Sequence, residues 1–330
     1  MIDLSAIKNI LIIRLSSLGD VLLTTPVVRS LKRQFPDIKI DFLTKEQYAG
    51  VYEYNPYISN VFIFNQNNKY PVRKLINEKY DLIIDLQNNL RSKKICAQIR
   101  TKKVSFQKPD LEKFLLVKFK INTFKKIISI PERYSKCIPG LKLDNNGLDL
   151  FIPEKIKPQL HSGKSYIGFC PGSRHFSKMW PGKYFIELGN SLLNKNFIPV
   201  LFGGTSDKHV CEEIHNSLPN SINLCNDNNL LQTARDMQDC RTVICNDSGL
   251  MHAATAVNVP VVAIFGSTVR EFGFAPYHTK NLILENNSLS CRPCSHIGLD
   301  KCPKGHFKCM VEITPEIVFN ETLKFIDVNE

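Results

Sequence analysis

The chain has 330 residues, 43% hydrophobic side chains and a formal net charge of +12, which supplies apolar material for about two domain cores and argues against disorder. No run of eighteen apolar residues is present, which excludes a conventional membrane-spanning helix. The charge is uneven: residues 1–150 hold 26 Lys and Arg against 14 Asp and Glu, whereas 151–330 hold 17 of each, and twelve of the basic residues fall in 91–126. That concentration predicts an anionic partner such as nucleic acid, acidic lipid or a phosphorylated glycan, although a solvated basic face accounts for the same pattern.

The first apolar run, Ile10-Leu11-Ile12-Ile13-Arg14-Leu15, has no basic leader and no small-residue cleavage site. It is expected to be a strand of a cytoplasmic protein and not a signal peptide. A helix is predicted over 21–35, a strand over 38–43, a helical stretch near 46–54, a strand over 61–64, a helix over 72–78 and a strand over 82–86. Segment 91–136 is basic and mixed; Phe114-Leu115-Leu116-Val117-Lys118-Phe119 within it reads equally as an amphipathic helix at a membrane surface or as an ordinary helix with one buried face. Residues 153–164, with Pro153, Pro158 and Gly163, read as a linker. The alternation then restarts: strands over 166–170, 199–202, 222–224, 243–245 and 259–265, helices over 181–193, 209–217, 230–237 and 250–257, and a final helix over 315–325. Alternation of this kind predicts an α/β protein with two doubly wound parallel sheets facing a cleft, in which ligands bind beyond the carboxyl ends of the strands.

Four loops fall at such strand ends. Ser16-Ser17-Leu18-Gly19-Asp20 follows the first strand. Pro171-Gly172-Ser173-Arg174 opens the second half, with Lys178-Met179-Trp180-Pro181 just downstream. Gly203-Gly204-Thr205-Ser206-Asp207 is the third. Asn246-Asp247-Ser248-Gly249-Leu250-Met251-His252 joins a buried strand to a helix. Glycines let backbone N–H groups approach a diphosphate, Lys178 offers a point charge and Arg174 a bidentate fork, and the Asp247-Ser248-Gly249 turn presents a helix N-terminus to an anion. His252, one turn into that helix, suits a phosphate or a ribose. Asp20 is a candidate general base for an acceptor hydroxyl. Taken singly, Asp20, Asp247 and Ser248 are better explained as helix caps; Lys178 also reads as a surface lysine and Trp180-Pro181 as helix-start chemistry. Neither G-x-G-x-x-G nor G-x-x-x-x-G-K-[ST] occurs, which argues against a nicotinamide enzyme and against nucleoside triphosphate hydrolysis.

The order of these motifs resembles the ADP-heptose:lipopolysaccharide heptosyltransferases, glycosyltransferase family 9. The resemblance rests on Leu18-Gly19-Asp20-Val21-Leu22-Leu23-Thr24-Thr25-Pro26, then Asp85-Leu86-Gln87-Asn88-Asn89-Leu90-Arg91-Ser92, Pro171-Gly172-Ser173 with Lys178-Met179-Trp180-Pro181, Asp247 to His252, and Phe265-Gly266-Ser267-Thr268. It implies a GT-B architecture: an acceptor-binding Rossmann-like domain over 1–155, a nucleotide-sugar domain over 165–312, and a helix in 313–330 packing back on the first domain. It implies an inverting transfer of heptose from ADP-L-glycero-D-manno-heptose to the lipopolysaccharide inner core. Asp20 would be the base. Gly19, Ser173, Arg174, Lys178, Asp247, Ser248, Gly249 and His252 would bind the donor, with no cofactor required for catalysis. The acceptor would be the anionic lipid A-core, which Arg91, Lys93 and Lys94 are placed to contact. A monomer in peripheral contact with the cytoplasmic face of the inner membrane is expected, without nucleic acid.

Eleven cysteines are present, and four cluster as Cys291-x2-Cys294-x7-Cys302-x6-Cys309 with His296 and His306 nearby. Four thiolates in this span suit a structural zinc or an iron–sulfur cluster; four reduced thiols in a loop suit it equally. Three further readings stand beside the leading one: a transferase of the same family with another donor or acceptor, a sugar-nucleotide epimerase of the same architecture, and a nucleic-acid-binding protein suggested by the charge. The scarcity of Asp and Glu in the loops of the second half argues against the epimerase, and the lack of a recognition-helix, RNP-like or C2H2 pattern against nucleic acid.

Overall fold

The computed structural model describes residues 3–65 and 70–327. The chain divides into two units, residues 1–108 with 128–153 and residues 109–127 with 154–330. The first runs β1 (Asn9–Ile13), α1 (Leu18–Leu22), α2 (Thr25–Gln34), β2 (Lys39–Thr44), β3 (Asn60–Ile63), α3 (Tyr70–Asn77), β4 (Leu82–Asp85), α4 (Leu90–Ile99) and β5 (Lys102–Ser105). α5 (Asp110–Phe119) belongs to the second unit, and α6 (Ile130–Ser135) to the first. The sheet order is β3-β2-β1-β4-β5, every pair parallel. Its strands are apolar on both faces because helices cover both; Leu11, Ile13 and Ile83 are fully buried. The direction of winding reverses between β1 and β4, and the loops after these two strands therefore flank the crevice where such sheets bind ligands.

The single helix predicted over 21–35 is two helices. α1 starts at Leu18, the chain turns at Leu23-Thr24, and Pro26 stands at the start of α2. Proline has no N–H to continue the ladder and is preorganised for a first turn. The hydroxyls of Thr24 and Thr25 donate to the carbonyls of Val21 (2.6 Å) and Leu22 (2.8 Å), which seals the end of α1.

The second unit runs β6 (Ser165–Cys170), α7 (Gly182–Leu193), β7 (Phe197–Leu201), α8 (Lys208–Ser217), β8 (Ile222–Asn223), α9 (Leu230–Met237), β9 (Cys240–Asn246), α10 (Gly249–Ala256), β10 (Val261–Phe265), β11 (Asn281–Glu285), α11 (Lys308–Val311) and α12 (Pro315–Asp327). Its parallel sheet has the order β11-β10-β9-β6-β7-β8, which places the reversal between β6 and β9. One core packs Ile167, Phe169, Ile244 and Ile264 against Phe185 and Leu188 of α7. The other packs Tyr166, Val243 and Ala263 against Met251 and Ala254 of α10. β11 is absent from the sequence expectations because only a short 3-10 turn, Arg270–Phe272, separates it from β10 where a helix would mark the alternation. α12 packs on α7, with Val318 and Ile326 in the core of the second unit, where the resemblance led us to expect packing on the first domain. Both units carry the doubly wound α/β sheet predicted from the alternation.

Candidate active site

In the first unit the β1 and β4 loops are tied together. Gln87 Oε1 accepts from the backbone N–H groups of Leu15 (2.9 Å) and Ser16 (3.2 Å). Arg14, at the end of β1, donates to the Leu86 carbonyl (2.6 Å) and pairs with Asp20 (Nη2–Oδ1 2.6 Å), and its guanidinium lies 5.7 Å from the centre of the Tyr134 ring. The other Asp20 oxygen accepts from Ser17 N (3.0 Å) and Ser17 Oγ (2.8 Å). Asp20 therefore does serve the first turn of α1, and it also carries a buried countercharge. Burial raises its carboxyl pKa, but Arg14 and the two Ser17 bonds outweigh that and hold it below the usual carboxylate range. The carboxylate is ionised at neutral pH.

Asp85, at the end of β4, is fully buried and spends its oxygens on the turn: Oδ1 accepts from Gln87 N and Asn88 N, Oδ2 from Ser92 Oγ. Asn89 caps α4 by accepting from Arg91 N (3.0 Å) and Ser92 N (3.1 Å). Arg91, Lys93 and Lys94 consequently start α4 at the same sheet end as Asp20, all three exposed.

The second unit brings the β6 and β9 loops together in the same way. Asn246 accepts from Trp180 N (2.9 Å) and donates to the Pro171 carbonyl (2.7 Å). Lys178 Nζ pairs with Asp247 Oδ2 at 2.6 Å, with 14% and 7% of the two side chains exposed. Thr268 Oγ1 donates to the same oxygen at 2.7 Å. Gly172 lies against the Asp207 carboxylate, which a Cβ at that position would displace. Ser173 is half-buried and Arg174 exposed on this loop, and His252 is buried in the first turns of α10.

Ser248 occupies the N-cap position of α10 yet makes no side-chain cap bond, and its Oγ is buried without a hydrogen-bond partner. Asp247 is engaged by Lys178 and Thr268. The capping explanation of this turn therefore fails. An uncapped helix N-terminus, an unsatisfied hydroxyl and a lysine share one sheet end, an arrangement that accepts a phosphate.

The metal expectation at Cys291, Cys294, Cys302 and Cys309 is not supported: among the described residues no group of three or more His, Cys, Asp or Glu side chains is arranged to hold a metal ion. Cys309 is buried on α11, and burial pushes its thiol up to about 12, so it is a protonated apolar side chain at neutral pH. Cys294 Sγ turns to the Cys291 carbonyl at 3.3 Å. The segment serves instead to place Arg292. That buried guanidinium donates to the carbonyls of Phe265, Gly266 and Thr268 and pairs with Glu285 (2.9 Å), which fixes the loop that presents Thr268 to Asp247. Arg14, Gln87, Asn246 and Arg292 were not singled out from sequence. A polar residue at the end of an apolar strand was the available signal for Arg14 and Asn246.

The sequence pattern of Glycosyltransferase family 9 (heptosyltransferase) matches residues 71–302. The chain is similar to Lipooligosaccharide heptosyltransferase 2 of Haemophilus influenzae, 27% identical over 350 residues that cover 95% of this chain and 98% of that one. Among solved structures it is similar to the glycosyl transferase family 9 protein of Veillonella parvula (TM-score 0.80, 24% identity, 99% and 98% of the two chains). It is also similar to E. coli ADP-heptose lps heptosyltransferase II (TM-score 0.74, 21% identity, 96% and 98%). The likeness to these structures shows the GT-B fold class.

Proposed function

The chain belongs to glycosyltransferase family 9, and we propose that it transfers heptose from ADP-L-glycero-β-D-manno-heptose to the inner core of lipopolysaccharide. The observation that carries this reading is the uncapped start of α10, where the orphaned Ser248 hydroxyl stands beside the Lys178–Asp247 pair. In the proposed reaction the α10 N-terminus, Ser248 and Lys178 hold the donor diphosphate, with Gly19, Ser173, Arg174, Asp247, Gly249 and His252 completing the donor site. An acceptor hydroxyl attacks the anomeric carbon, and its proton passes to the Asp20 carboxylate. The bond from that carbon to the β-phosphate oxygen breaks, and ADP leaves with the electron pair. One displacement inverts the anomeric centre. Lys178 and the helix N-terminus offset the charge that builds on the leaving group. Arg91, Lys93 and Lys94 meet the phosphates and carboxylates of the acceptor, which is carried on lipid A at the cytoplasmic membrane surface.

The test is turnover of the purified protein with ADP-heptose and Kdo2-lipid A, with and without one heptose already attached, followed by ADP release and product mass. Acceptor-dependent turnover is expected, falling about 10²- to 10⁴-fold in Asp20→Ala. The preferred acceptor assigns the step. Turnover on neither acceptor overturns the donor or acceptor assignment, and turnover undiminished in Asp20→Ala removes Asp20 as the base.

A further inference from the structure

We propose that residues 110–127 are a docking element for an anionic lipid surface. Five of the ten exposed large hydrophobic residues among the described residues lie in these eighteen positions: Leu111 (67% exposed), Phe114 (55%), Phe119 (57%), Ile121 (53%) and Ile127 (56%). On α5, Leu111, Phe114, Leu115 and Lys118 follow the i, i+3, i+4, i+7 spacing that ordinarily marks a buried stripe. Here Leu111, Phe114 and Lys118 of that stripe face solvent, and Leu116 is the residue that α5 buries. A soluble protein gains nothing from turning an apolar stripe outward unless the stripe is covered.

Three contacts moor the segment. Lys120 Nζ donates to the Pro293 carbonyl (2.6 Å), Asn122 Nδ2 donates to Glu271 Oε1 (3.0 Å), and the Phe124 ring lies edge-on to Phe272 at 6.5 Å. These anchors all belong to the second unit, so the apolar residues are presented on a moored element.

Charge identifies the occupant. Residues 109–127 carry five lysines against Asp110 and Glu112, a net of +3, and residues 154–330 sum to zero, so the whole excess charge of the second unit sits in this segment. Lys118, Lys125 and Lys126 are exposed between the aromatic and aliphatic side chains. Protein interfaces deplete lysine from their apolar centres. A bilayer interface takes both together, because the rings and aliphatic chains enter the acyl boundary while lysine heads reach the phosphates. The inference rests on the reading of a lipid-carried acceptor.

Co-sedimentation of the full chain with phosphatidylcholine vesicles, with and without about 30% phosphatidylglycerol, tests it. Binding to the anionic vesicles is expected, with more than a tenfold loss in Leu111→Ser/Phe114→Ser and in Lys118→Glu/Lys125→Glu/Lys126→Glu. Both variants should keep the unfolding midpoint of the parent and its turnover on a de-acylated, water-soluble Kdo acceptor. Equal binding to both vesicle types, or variants that sediment like the parent, overturns the proposal. So does a parent that is dimeric by light scattering while Leu111→Ser/Phe114→Ser is monomeric, because a second copy then covers the stripe. Failure of turnover on the soluble acceptor with vesicle binding intact counts against the transferase reading alone.

Discussion

Asp20 owes its ionised state to Arg14. Burial by itself raises a carboxyl pKa, and the guanidinium 2.6 Å away reverses that. Arg14→Met removes the countercharge and leaves the burial, so the Asp20 pKa should rise. With Asp20 as base, the acid limb of the kcat/KM profile then moves to higher pH, while the rate on the alkaline side of the limb is largely retained. A pH–rate series on parent and variant reads this directly, and an unmoved limb would separate Asp20 from proton transfer. Asp20 does not stand at the N-cap: α1 starts at Leu18 with Ser17 as its cap, and Asp20, at the third helical position, accepts from Ser17 with one oxygen and pairs with Arg14 through the other. At Ser248 capping gave way, since the hydroxyl that local chemistry would spend on α10 is unspent.

Long-range polar clamps hold the site-bearing elements. In the first unit Arg29 of α2, 3% exposed, donates to Asp144 through Nε (2.7 Å) and Nη2 (2.9 Å), donates to the Gly147 carbonyl, and pairs with Asp149. The Arg29 bonds draw the Asp144 carboxyl down to about 2 against the opposing pull of burial. A depressed folded pKa stabilises fully above the unfolded value and is lost as pH falls through the folded one. Asp144 therefore adds stability at neutral pH, reduced by solvent screening of a carboxyl near the surface, and loses it between about pH 4 and pH 2. Burial pushes Asp149 in the opposite direction and offsets part of this. Urea midpoints measured across that interval should fall steeply in the parent and more shallowly in Asp144→Asn. Arg29→Met should cost about 3 kcal/mol at pH 7, because it strands the Asp149 carboxylate and leaves Asp144 with Arg33 alone. A variant as stable as the parent would remove the clamp from the account of how α2 is held.

Over the whole molecule the charge is divided unequally, +9 in residues 1–108 with 128–153 and +3 in the rest. Arg91, Lys93 and Lys94 are exposed and open to screening, whereas the Lys178–Asp247 pair is largely desolvated. If these residues hold acceptor and donor as proposed, raising salt from about 50 to about 300 mM should raise KM for the lipid acceptor several-fold and KM for ADP-heptose much less. Equal slopes for the two substrates would contradict that division. Segment 109–127 contributes its basic residues to the second unit, although it adjoins the first in sequence.

The sequence alone determined what periodicity and turn chemistry encode locally: alternating strands and helices, hence two doubly wound sheets, and the loops at β1, β4, β6 and β9 that carry the family's motifs. Loop position follows from strand position, so Asp20, Lys178 and Ser248 could be assigned to sheet ends without coordinates. Tertiary structure alone decided the partners. Arg14 meets Leu86 across 72 positions, Asn246 meets Pro171 across 75, and Arg292 closes over Gly266. No local pattern records such pairings, because each depends on which strands become neighbours. The same holds for burial. Cys309 is a core side chain in place of a metal ligand, and the apolar residues of α5 face outward. Spacing specifies which residues share a face, and only the packed fold specifies what that face meets.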